Sequence, residues 1–152
     1  VMSLNDLGAD VVGIDISAKS IEIARLKKPA CQFLKMDFHA IDHRMGPFDG
    51  VLASGSLIHV EPERMSGVLS SIRNLLRPGG VLAALVRDGN GSIRRQQVVG
   101  AHAMEWVAWR YTGEAFTAYC NASDLRFIRD GVLDKVLLDS GWRCYFYRAG
   151  TP

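Results

Sequence analysis

The sequence has no apolar run near the ~18 residues that a transmembrane helix needs, and no stretch with the form of a secretory signal. A membrane partner is therefore not expected. It also lacks an excess of either charge: 18 Lys and Arg against 16 Asp and Glu leave a net charge of +2. Composition thus gives no reason to expect nucleic acid or an acidic membrane surface as a partner. The close basic pairs, Lys27-Lys28 and Arg94-Arg95, are what a solvated face carries. Cysteine is scarce. Cys31, Cys120 and Cys144 form no CxxC or metal-like spacing, and their odd count fits a reduced, cytoplasmic compartment with one bridge at most. His39, His43 and His102 show no ligand spacing with any carboxylate or thiol, so no metal is expected. Repeats, low-complexity tracts and linkers are missing too. What remains is a chain of 152 residues, 48% hydrophobic and 22% charged, suited to a single globular domain with a sizeable core.

Within it, short β-branched runs alternate with helical patterns. Residues 1–8 read as the end of a helix, stopped by Gly8. "VVGID" (11–15) reads as a strand, and Ser17 caps a helix to about Lys28 with Ile21, Ala24 and Lys28 on one face before Pro29. "CQFLKM" (31–36) and "FDGVLAS" (48–54) read as the next strands. Glu61-Pro62 opens the clearest helix, because Met65, Val68, Leu69, Ile72, Leu75 and Leu76 fall on one face and proline suits a first helical position. Arg77-Pro78-Gly79-Gly80 ends it before the strand "VLAALV" (81–86). "RDGNGS" reads as a loop, and the aromatic stretch after it has no clean period. Residues 130–140 read as a helix and "WRCYFY" as a last strand. This alternation predicts an α/β fold with a mainly parallel sheet flanked by helices.

Two of the strands end in aspartates, Asp15 and Asp37, one strand–helix–strand unit apart. Both belong on the carboxyl rim of a parallel sheet, where ligands of such folds bind. A nucleoside offers a ribose diol and an exocyclic amine, so one carboxylate can take each, with Ile16 and Phe38 closing over the base. The plainer reading is that each aspartate caps the turn after its strand. Both stand at this point.

The segments "LGADVVGIDIS", "FLKMDF", "FDGVLASGSLIHV" and "LLRPGGVLAALV" resemble, in order and spacing, the later motifs of class I S-adenosylmethionine-dependent methyltransferases. "GEAFTAYCNASDL" with "LLDSGW" looks like the carboxyl-terminal part of the small-molecule branch. The resemblance implies a Rossmann-like fold and methyl transfer to a small-molecule acceptor. It implies that Asp15 holds the ribose hydroxyls, Asp37 the adenine amine, and Phe38 packs on the adenine. Ala53, Ser54 and Gly55 would line the methionine part through backbone groups. His59, in "SLIHV", sits where many relatives carry a histidine beside the cleft. It is either a general base or a residue that caps and packs. Trp106 and Tyr119 are candidates for an acceptor wall, or else plain core, and "GEAFTAYC" (113–120) also reads as an ordinary strand or hairpin arm. "NPPY"-like residues are absent after the third strand, which with the near-neutral charge favours a small acceptor.

The family's first strand and its "DLGCGTG"-like turn have no counterpart in these residues, and the end looks short by the strand that pairs with "WRCYFY". The expected domain, 1–152, is therefore incomplete at its N-terminus, and its sheet can be completed by upstream residues or by a strand from a second copy. A degenerate, non-catalytic binding or assembly module is the alternative in another class. A nicotinamide-dependent oxidoreductase is the alternative enzyme, since an acid at a strand end also suits its ribose.

Overall fold

The computed structural model describes residues 4–99, 102–131 and 141–151. They belong to two compact units, residues 1–41 and 42–152.

In the first unit, a 3₁₀ turn at Leu4–Leu7 closes on Gly8, which stands at φ +86°. Strand β1 (Val12–Asp15) leads to helix α1 (Ala18–Lys27) and then to strand β2 (Gln32–Lys35). The two strands pair in parallel, Val12 opposite Gln32 and Asp15 opposite Lys35. Ser17 is the helix N-cap: its hydroxyl accepts the Ser20 N–H at 3.2 Å. Ile21 is buried, and Ala24 and Lys28 are half-buried. The expected face is therefore the one turned inward. Gly13 leaves room for Phe33 on β2, since a Cβ there would lie 2.6 Å from the ring.

The second unit holds a four-stranded sheet. Its strands are β3 (Phe48–Ser54), β4 (Leu76–Arg87), β7 (Leu125–Gly131) and β8 (Trp142–Ala149), in the order β3-β4-β8-β7. β3 and β4 are parallel, while β8 runs antiparallel to both its neighbours. Helix α2 (Pro62–Leu75) joins β3 to β4 and buries Met65, Val68, Leu69, Ile72 and Leu75. Its expected stop, residues 77–80, lies inside β4 as an irregularity. The register steps from Phe48 opposite Leu76 to Gly50 opposite Val81, and Gly79 takes φ +78°.

Four expectations are corrected here. The stretch after "RDGNGS", expected to lack a clean period, is regular: β5 (Ser92–Val99) and β6 (His102–Trp109) make a separate two-stranded antiparallel ribbon. "GEAFTAYC" is no strand or hairpin arm but helix α3 (Gly113–Ala122), capped by Thr112, whose hydroxyl accepts the Ala115 N–H at 3.2 Å. Asp130 and Gly131 end β7 instead of opening a helix, and residues 132–140 of that expected helix lie outside the described residues. The strand thought missing beside "WRCYFY" is β7, so β8 is paired on both sides.

The core of this unit is aromatic. Phe116, fully buried on α3, meets Tyr111, Tyr145 and Tyr147 at centroid distances of 6.0, 6.2 and 5.8 Å. Tyr147 satisfies its hydroxyl with Thr117 at 3.0 Å. The three cysteines are free, and Cys120 is fully buried one helical turn after Phe116. Among the described residues no helix is long and apolar enough to cross a membrane.

Burial pushes the Cys120 thiol from 9.0 up to about 12, with a hydrogen bond to Tyr147 opposing the shift. Burial raises the Tyr147 and Tyr111 phenols as well. The folded state holds these groups protonated while the unfolded chain ionises earlier. Their contribution is therefore complete below pH 9 and is lost as pH rises toward 12. Urea midpoints should fall between pH 8 and about pH 10.5, and Ellman's reagent should reach Cys120 only as the unit unfolds. Rapid modification of Cys120 in the native chain would contradict this.

Candidate functional site

The first unit brings Asp15 and Asp37 to one rim. β1 and β2 end side by side, and the Met36 N–H donates to the Asp15 carbonyl at 3.0 Å, so Asp37 follows directly on the paired segment. Each carboxylate caps the turn after its strand. Asp15 Oδ1 accepts the Ser17 N–H at 2.8 Å, and Asp37 Oδ1 accepts the His39 N–H at 2.9 Å. The capping reading therefore holds for both. It uses one oxygen of each. Among the described residues neither Oδ2 has a partner, and both side chains are exposed. Ile16, between the β1 acid and the helix cap, is 63% exposed, an apolar side chain facing out beside two free acceptors. Phe38 is half-buried and lies against His39, ring centroids 4.5 Å apart.

In the second unit, β3 ends on Ala53, Ser54 and Gly55. Ala53 is buried, Ser54 is exposed, and Gly55 turns the chain at φ +74°. The Gly55 N–H reaches the Ala53 and Leu85 carbonyls, both at 3.2 Å, which ties this turn to the end of β4. A Cβ on Gly55 would lie 3.2 Å from the indole of Trp142, the first residue of β8. Trp142 also lies under the Arg87 guanidinium, 5.3 Å from the ring centroid. Sequence reading took Trp142 only as a strand residue. The signal that links it to Gly55 is the antiparallel pairing that sets Trp142 opposite Arg87, at the carboxyl end of β4.

His59 closes a 3₁₀ turn (Leu57–His59) and is exposed. Its Nδ1 lies 3.2 Å from the Val107 carbonyl on β6. A carbonyl only accepts, so Nδ1 carries the hydrogen and the neutral ring presents its lone pair at Nε2. Trp106 meets His59 edge-on at 6.1 Å. Tyr119 meets Tyr111 edge-on at 6.2 Å, and the Tyr111 hydroxyl donates to the Val60 carbonyl at 2.6 Å. Trp106 and Tyr119 are thus both tied to residues 59–60, by separate routes and without touching each other among the described residues. Both are half-buried.

Comparison with known proteins adds a family. A sequence profile described as a methyltransferase domain matches residues 1–80, just over half of the chain. The uncharacterized methyltransferase sll0829 of a Synechocystis species is 30% identical over 76 residues, covering 50% of this chain and 36% of its own. The tRNA N(3)-methylcytidine methyltransferase Mettl2 of Drosophila melanogaster is 37% identical over 87 residues, covering 51% of this chain and 26% of its own. The chain thus spans only about a third or less of these relatives' lengths. An S-adenosylmethionine-dependent methyltransferase from Methanosarcina mazei has the same fold, with a TM-score of 0.81 at 15% identity over 98% of this chain and 86% of that one.

Proposed function

The chain belongs to the methyltransferase-domain family, with the Rossmann-like fold of its class I members, and on that premise we propose that it transfers a methyl group from S-adenosylmethionine to a small-molecule acceptor. The observation that carries this reading is the pair of strand-terminal carboxylates, Asp15 and Asp37, on adjacent parallel strands, each with one oxygen left over after capping its turn. The group fits these residues: an ionised carboxylate is acceptor-only, and a ribose diol and an adenine amine are the donors it would meet. Asp15 takes the diol and Asp37 the amine, while the exposed Ile16 and half-buried Phe38 cover the base.

S-adenosylmethionine supplies a methyl group already activated by its sulfonium. The protein's work is then largely alignment, which can supply several kcal/mol of a barrier on its own. In this reading Nε2 of His59 receives a proton from an acceptor hydroxyl or amine, and Trp106 and Tyr119 wall the acceptor; the Nδ1 contact of His59 with the Val107 carbonyl, which leaves Nε2 as the free nitrogen, supports it. A net charge of +2 supports a small acceptor over a nucleic acid. Three free cysteines suit a cytoplasmic setting.

Two variants separate binding from capping. Asp15→Asn retains an oxygen for the Ser17 N–H but loses the charge and one acceptor; Asp15→Ala loses everything. Both should weaken S-adenosylhomocysteine by about 1–3 kcal/mol, read by calorimetry, with the Asn variant as stable as the parent. A dissociation constant unchanged in both removes Asp15 from the site.

A further inference from the structure

Helix α3 presents two stripes of side chains. Phe116 and Cys120 are buried in the core, while Glu114, Thr117, Ala118 and Asn121 fall at i, i+3, i+4 and i+7. This second stripe forms one wall of an open groove. The sheet supplies the other wall through Phe127 and Asp130 of β7 and Tyr145 of β8. Gly113, at the start of the helix, lets the two walls meet. A Cβ there would lie 2.8 Å from the Tyr145 hydroxyl oxygen.

The groove carries polar groups that the fold leaves unused. Tyr145 is only 9% exposed, yet among the described residues its hydroxyl has no hydrogen-bond partner. The other two tyrosines of the core are satisfied, Tyr111 by the Val60 carbonyl and Tyr147 by Thr117. Tyr145 lines the groove, so a ligand lying in it can reach the hydroxyl. Burial and then Asp88 raise this phenol above its usual 10.0, with Arg143 opposing and Asp130 adding to the shift, so the hydroxyl keeps its proton. Glu114 and Asp130 are exposed and, among the described residues, have no ion-pair partner. No basic side chain lines the groove. Phe127 completes it with a ring that is 49% exposed and held edge-on against Tyr147 at 5.8 Å.

We propose that this groove binds a small organic cation, an ammonium or amidinium group carried on an apolar body. The two carboxylates accept hydrogen bonds from the cationic head, and charge on both partners makes such bonds the strong ones. The Tyr145 hydroxyl oxygen accepts a further N–H. The Phe127 ring takes the apolar body and attracts the positive charge through its face. Two carboxylates without a neutralising neighbour disfavour an anion, and a neutral ligand leaves both charges unpaired. Every residue of the groove belongs to the second unit, whereas Asp15 and Asp37 belong to the first. The proposal therefore stands apart from the methyl-transfer reading.

The test uses benzamidine and benzylamine as cationic probes, with benzamide and benzyl alcohol as neutral controls of similar shape, titrated into the 152-residue chain. Both cations should bind and neither control should. Replacing the two carboxylates together, Glu114→Gln with Asp130→Asn, should weaken the cations by about ten-fold or more. Tyr145→Phe, which removes only the hydroxyl, should weaken them by about three-fold or more. A control that binds as tightly as its cation overturns the inference, and so does equal cation binding by the parent and the double variant. Displacement of the cations by S-adenosylhomocysteine also overturns it, because the groove would then belong to the cofactor. Should the variants fail to fold, photolabelling of the parent with 4-azidobenzylamine decides. Label on residues 113–121 or 125–130, protected by benzamidine, is the expected result; label confined to other residues overturns the inference.

Discussion

Phe116→Ala should cost the second unit about 3–5 kcal/mol, the range for removing a large aromatic from a packed core. Phe116 has no exposed surface and is the ring around which Tyr111, Tyr145 and Tyr147 gather, so its loss opens a void on three sides. The tyrosines resist collapse into that space because two of them are anchored by their hydroxyls, Tyr111 on the Val60 carbonyl and Tyr147 on Thr117. Fluorescence isolates the effect. All three tryptophans, Trp106, Trp109 and Trp142, belong to residues 42–152, so their urea transition reports this unit and not residues 1–41. The midpoint should drop with the slope unchanged. A loss below about 1 kcal/mol would mean that Phe116 is not the centre of the core.

Gly55→Val should be the most damaging substitution at the β3 rim. At φ +74° a β-branched residue is a conformational outlier, costing about 1–3 kcal/mol. Its side chain also meets the Trp142 indole, which Arg87 covers from another side, and overpacking adds roughly 1–3 kcal/mol. Asn tolerates the left-handed region, so Gly55→Asn keeps the crowding against Trp142 but relieves most of the strain. The Val variant should therefore be the less stable of the two, and its tryptophan emission should shift as Trp142 is displaced. Equal stability of Gly55→Val and the parent would show that the turn is not held as described.

The elements that sequence made legible are those whose ends are chemically marked. Ser17 and Pro29 bracket α1, and Pro62 opens α2, whose apolar positions repeat at three and four residues. The strand-terminal aspartates were legible for the same reason: a short β-branched run stops on a residue that prefers turns. What stayed hidden lacks such marks. α3 begins Thr-Gly-Glu and buries only Phe116 and Cys120, too little for a visible face; Thr112 as a cap was the signal available. β7 alternates from Leu125, but its register slips between Phe127 and Arg129, and the bulge breaks the period. The ribbon strands carry Arg94, Arg95, Gln96 and Glu105 where apolar residues were sought. Trp142 became a candidate only through the pairing of β8 with β4, segments far apart in sequence. No local pattern encodes that.

The two aspartates show why strand-end carboxylates resist assignment from sequence. Capping and ligand binding are not exclusive here, because a carboxylate has acceptor sites to spare after one backbone N–H is satisfied. A turn-capping role in the structure therefore leaves the nucleoside reading intact, and only a binding measurement separates them.

The most direct test of the account is calorimetric titration of the 152-residue chain with S-adenosylhomocysteine. The account predicts saturable one-to-one binding that weakens in Asp15→Asn. Absence of binding by a chain whose circular dichroism and tryptophan emission show it to be folded would contradict it.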